Sequence, residues 1–181
     1  MATTAPTRQA RLALTPHTSM AGLLDGAWWP YSRDLAAELP PLADALLDRF
    51  GRVTRITANP APWPSAPYRV SVGAYAVHIG WFTGQSPDTM ILLSYSLGRC
   101  DLLVVPPETE PASAARLMAA ASAPGNVRTT DTLMADEHAT GRSVQDARAG
   151  EDGRETEGGT SRQPRPVVGA RMIYVPRRTW R

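Results

Sequence analysis

The chain has 181 residues, enough for one domain with a sizeable core, and a formal net charge of +2. Its 19 basic side chains are all arginine, which excludes lysine Schiff-base chemistry and a P-loop lysine. One cysteine and three scattered histidines leave no internal disulfide and no zinc-ligand spacing, so neither a metal nor a cofactor is expected.

The charge is unevenly spread. Nine arginines balance nine carboxylates over residues 1–124, four face eight over 125–161, and six meet none over 162–181. The chain reads as a neutral body, an acidic stretch and a basic end. Residues 1–10 lack an apolar signal core and no later segment approaches membrane-span length, which points to a cytoplasmic protein.

Arg11 to Thr15 alternates with period two and stops at Pro16, predicting a short strand after a disordered start over 1–10. The run from Leu23 to Asp34 holds Trp28, Trp29 and Tyr31 without periodicity and is expected as a loop. Ser32 is then the expected N-cap of a helical stripe formed by Leu35, Leu39, Leu42, Leu46 and Phe50, ending at Gly51. Pro40-Pro41 interrupts it, and an interior proline breaks a helix, so two short helices on one surface are expected. Strands are predicted at 52–58, 68–72, 75–82, 89–96 and 100–105, with a tight turn at Leu97-Gly98-Arg99, joined as an antiparallel meander. On the third of these strands Tyr75, Val77, Ile79 and Trp81 share the inner face and His78 lies opposite. Residues 111–123 read as a helix stopped by Pro124-Gly125.

The pattern as a whole predicts an α+β fold: an antiparallel sheet of about five or six strands, two helical segments on one face, and a disordered C-terminal tail. The expected parts are a disordered start at 1–10, a globular domain at 11–124, a disordered acidic linker at 125–163 and a basic, partly apolar tail at 164–181.

Three motifs stand in order: Leu-Asp-Gly-Ala-Trp-Trp-Pro at 24–30, Gly-Trp-Phe at 80–82, and Asp-Leu-Leu-Val-Val-Pro-Pro at 101–107. Together they resemble a family of small actinobacterial proteins defined only as a domain of unknown function. The resemblance spans Arg11 to Ala123 and implies no activity and no catalytic residues.

The charges nearest the aromatic runs are Asp25, Arg33, Asp34 and Asp101. Two carboxylates and an arginine can hold an anion or run acid-base chemistry, but a helix start favours a carboxylate such as Asp34 for structural reasons alone. Arg33 opposes the helix dipole at that place, and an ion pair with Asp25 is its simplest explanation. Trp28, Trp29, Trp63 and Trp81 line either a pocket or a core edge. Cys100 reads as a buried thiol, and His78 as exposed.

The favoured function is a small non-enzymatic binding or regulatory module with an aromatic-lined site built from Asp25, Trp28, Trp29, Arg33 and Asp101. The alternatives are a small enzyme with an Asp/Arg cleft and an accessory protein acting through its basic end. The partner is then a small molecule or a protein, with nucleic acid expected only at the arginine-rich tail and no membrane partner.

Overall fold

The computed structural model describes residues 8–17, 20–96 and 98–157, with side chains as far as 150. Expectations for 1–7 and for the basic tail at 164–181 lie outside the described residues. The chain divides into two compact units after Val144, and the described part of the second, 145–157, is helical.

Seven strands form one sheet: β1 Leu12–Leu14, β2 Gly26–Trp28, β3 Val53–Ala58, β4 Arg69–Val72, β5 Tyr75–Trp81, β6 Thr89–Ser94 and β7 Gly98–Val104. Their spatial order is β1-β2-β7-β6-β3-β5-β4. β2 lies parallel to β7 and β3 parallel to β5, while the other neighbours are antiparallel. The fold is α+β, but the sheet is mixed and larger than the antiparallel meander expected. Alternation marks a strand without naming its neighbour, and the long connection over 82–88 lets β6 pass β5 and pair with β3.

β2 is the strand that the sequence hides. All three of its residues are buried, Trp28 toward one face and Ala27 toward the other, so it shows none of the alternation of a half-exposed strand. Gly98 and Arg99, expected in a turn, already pair with β6 as the start of β7. The alternation on β5 holds: Val77 and Ile79 are buried, His78 is exposed, and Tyr75 and Trp81 pack half-buried against the same core.

Helix α1, Leu35–Phe50, is continuous through Pro40 and Pro41. Leu35, Leu39, Leu42, Ala43 and Leu46 make one buried stripe, and a break at the prolines would rotate its second half away from the sheet. The N-cap is Asp34 rather than Ser32, its carboxylate accepting from the amides of Ala36 and Ala37. Ser32 instead donates to Glu38 at 2.8 Å.

Helix α2, Pro111–Ala121, covers the opposite face, which corrects the expectation of helices on one side. β7 shows why: Leu102 and Val104 join the core under α1, and the alternate residues Leu103 and Val105 join a second core with Ala114, Leu117 and Ala121. A third helix, α3, Thr130–Glu157, occupies a stretch whose composition predicted no structure. Its first turns are held by tertiary contacts, with Leu133 buried in the second core and Thr130 Oγ1 2.7 Å from Thr89 Oγ1. Among the described residues no helix is long and apolar enough to cross a membrane.

Candidate functional site

β2, β7, β3 and β5 run in one direction, because β7 and β3 are both antiparallel to β6. Their carboxyl ends therefore meet at one edge of the sheet, the place where open sheets with helices on both faces commonly hold ligands. β2, β3 and β7 leave that edge within two residues of a proline, which cannot continue the ladder, and Pro87 stands in the connection from β5 to β6. A cleft of about 210 Å³ opens there, walled by Pro30 after β2, Pro62 and Trp63 after β3, Pro87 and Asp88 before β6, and Val104, Pro106 and Pro107 at the end of β7, with Arg33 at its side.

The walls are braced from behind. Asn59, buried, donates to the carbonyls of Thr83 and Gln85 at 3.2 and 2.7 Å and accepts from the amide of Ala61 at 2.8 Å. Gln85 in turn donates to the carbonyls of Thr57 and Thr89. Trp63 stacks on Trp28 with ring centroids 5.9 Å apart and planes at 15°, which fixes the wall it forms.

Two charged groups enter this apolar setting. Arg33 donates from Nε and Nη2 to the Glu108 carboxylate at 2.7 and 2.8 Å and from Nη1 to the Pro62 carbonyl at 3.1 Å. Glu108, not Asp25, is its partner, and that hydrogen bond holds the Glu108 carboxyl below its ordinary range. Asp88 is half-buried, and among the described residues nothing donates a hydrogen bond to its carboxylate. Burial first and the nearby Asp131 second push its pKa up, against the opposing pull of His138 and Arg33.

The five residues singled out from the sequence do not converge. Asp25 and Asp101 meet across β2 and β7, where the Asp25 carboxylate accepts from the Asp101 amide at 2.8 Å and the Asp25 amide donates to the Asp101 carbonyl at 2.8 Å. Asp101 also takes an ion pair from Arg99. Both carboxylates sit before or within the strands, whereas Arg33 follows the far end of β2. Trp28 is fully buried in the core. Trp29 packs against the second core with the Arg11 guanidinium 3.4 Å above its ring, and Arg11 also donates to the carbonyls of Trp29 and Pro30. Trp63, Asp88 and Glu108 were missed as a set because each comes from a different connection, and only the prolines beside them signalled a common edge.

Cys100 is buried, and burial, with Asp25 and Asp101 nearby, pushes its thiol pKa up, away from nucleophilic use. Among the described residues no three His, Cys, Asp or Glu side chains cluster as metal ligands. No curated protein and no solved structure matches the chain. Residues 11–121 match a family of unknown function, DUF5994, which takes in all three motifs and the strands that form the cleft. The chain belongs to that family.

Proposed function

We propose that the domain is a non-enzymatic binding module whose cleft takes a small amine, its cationic nitrogen on Asp88 and its apolar body against Trp63 and the prolines. The carrying observation is the Asp88 carboxylate, set among prolines and given no donor among the described residues. A half-buried carboxylate without donors is costly unless something supplies them. The cleft is smaller than the ~300–1,000 Å³ of drug-sized pockets, which favours a compact ligand. Its braced walls favour a preformed site, which lowers the ordering cost of binding.

Binding is favoured over catalysis because the Asp25 carboxylate is taken by the Asp101 amide, the Asp101 carboxylate by Arg99 and Arg33 by Glu108, so that among these candidates no free acid-base pair faces one point. A thermal-shift panel of primary amines and amidines, run on wild type and Asp88→Asn, tests the reading. Amines that raise the melting temperature of wild type and not of the variant support it, since only native-state binding shifts melting. Equal shifts in both proteins, or none in wild type, remove Asp88 as the anchor.

A further inference from the structure

The face of β3, β5 and β4 that points away from α1 carries no helix of the first unit over Arg55, His78 and Arg69, and all three are exposed. The registers place them in one line. Arg69 pairs with His78, His78 with Arg55, Arg55 with Leu93 and Leu93 with Arg99, so a single row crosses five strands. At the strand spacing of about 4.8 Å that row is about 19 Å long.

Along the row the three arginines stand two strands apart, Arg69 and Arg55 flanking His78 and Arg55 and Arg99 flanking Leu93, which spaces the positive charge as a track rather than a cluster. The only carboxylate that the described strand residues present on this face is Asp101, and Arg99 holds it at 2.8 Å. Arg55, His78 and Arg69 have no ion pair, hydrogen bond or ring contact from their side chains among the described residues.

Beside the row lie two aromatic rings. Tyr68 and Phe82 are 77% and 55% exposed and flank a hollow of about 340 Å³ with Arg55, Thr57, His78 and Gly80. Gly80 is what admits the Phe82 ring: a Cβ there would lie 3.0 Å from Phe82 Cε2. The Gly-Trp-Phe motif thus buries Trp81 partly on one face and lays Phe82 on the other.

We propose that this sheet face binds single-stranded nucleic acid, with Phe82 and Tyr68 stacking bases and Arg55, His78 and Arg69 meeting phosphates. Exposed aromatics beside a cationic track are the chemistry that single strands require, since every base has a stacking face and every linkage a charge. A duplex hides those faces. The site is separate from the proline-walled cleft and does not depend on its ligand.

The test is fluorescence anisotropy with a labelled single-stranded oligothymidylate of about twelve nucleotides and the full chain. Wild type is expected to bind it more tightly than a duplex of the same length. Phe82→Leu should weaken binding about tenfold with the salt dependence unchanged, because it removes stacking alone. Arg55→Gln should weaken binding and lower the slope of log affinity against log salt by about 0.7, the loss of one phosphate contact. Arg142→Gln, an exposed arginine on α3, should change neither. Tyr68→Ser gives an independent reading of the same face should either other variant lose its cooperative melt. No binding at low salt, a duplex bound as tightly as the single strand, or equal affinity in wild type and all the sheet-face variants would overturn the proposal, the last by placing binding on the arginine tail.

Discussion

Arg33, which lines the cleft, and Glu108, 75 residues apart in sequence, form a two-point ion pair at 2.7 and 2.8 Å. The pair joins the entry of α1 to the connection after β7, so one contact ties two of the walls. Both side chains are well exposed, 37% and 62%, which limits the pair to about 0–1 kcal/mol. Glu108 has a lowered pKa in the folded state, so its contribution is present above the ordinary glutamate range and is lost as pH falls through the folded value. Glu108→Gln should therefore cost up to about 1 kcal/mol near neutrality and nothing in acid. Urea titrations at the two pH values check this, and a loss that is equal at both would show that the charge is not what matters.

Asp88 behaves in the opposite sense. Its pKa is raised in the folded state, so protonation is favoured by folding and the ionised group weakens the fold above the folded value. Asp88→Asn should raise the melting temperature at neutral pH, with the gain shrinking as pH falls through the raised folded value toward the ordinary aspartate range and gone below it. A melting temperature lowered by the substitution at neutral pH would mean that the carboxylate has a structural partner.

Gly26 explains one position of the Leu-Asp-Gly-Ala-Trp-Trp-Pro motif. A Cβ there would stand 2.1 Å from the Ala13 carbonyl oxygen and 2.9 Å from Leu14 Cα, at a φ of +156°. The obstacle is backbone, so β1 must move if a side chain enters. Gly26→Ala should destabilise by about 1–3 kcal/mol or more, as overpacking does. Gly84→Ala, with nothing within 4 Å, is the matched control and should be near neutral. Similar denaturation midpoints for the two variants would contradict the close approach.

What the sequence made legible follows from which patterns carry information about neighbours. Val77, His78 and Ile79 alternate because β5 has one covered and one open face, and their placement could be read directly. Trp28 could not be read, since burial of β2 on both faces erases the alternation and leaves a run that looks like a loop. Arg33 drew attention for opposing a helix dipole, yet its partner Glu108 lies beyond α1 and five strands, and nothing local points to it. Asp88 gave no signal at all, because a carboxylate after a proline in a turn is ordinary until the folded chain sets it in an apolar cleft.

The tryptophans differ in what they hold. Trp28 is fully buried and stacked on Trp63, whereas Trp81 is half-buried and its Nε1 donates to the Pro67 carbonyl at 3.1 Å. Trp28→Ala should cost about 3–5 kcal/mol, the range for a fully buried large side chain. Trp81→Ala should cost clearly less. Equal losses from the two would place Trp81 deeper in the core than its exposure allows.

The last expectation concerns where the folded unit can be cut. A boundary near Gly125 follows from composition, but Leu133, eight residues later, is buried with Ala27 and Leu103, and its loss exposes that second core. Asp131 accepts from Ser86 Oγ at 2.6 Å and Thr130 meets Thr89, so the start of α3 also pins the connection that carries Asp88. A chain ending at Gly125 should lose about 1.5–3 kcal/mol from Leu133 alone, the range for burying one such side chain. A chain ending at Val144 keeps all of these contacts and should unfold at the midpoint of the full chain. Urea denaturation of the two truncated chains decides between the boundaries: a lower midpoint for the shorter chain assigns the start of α3 to the fold, and equal midpoints return the boundary to Gly125.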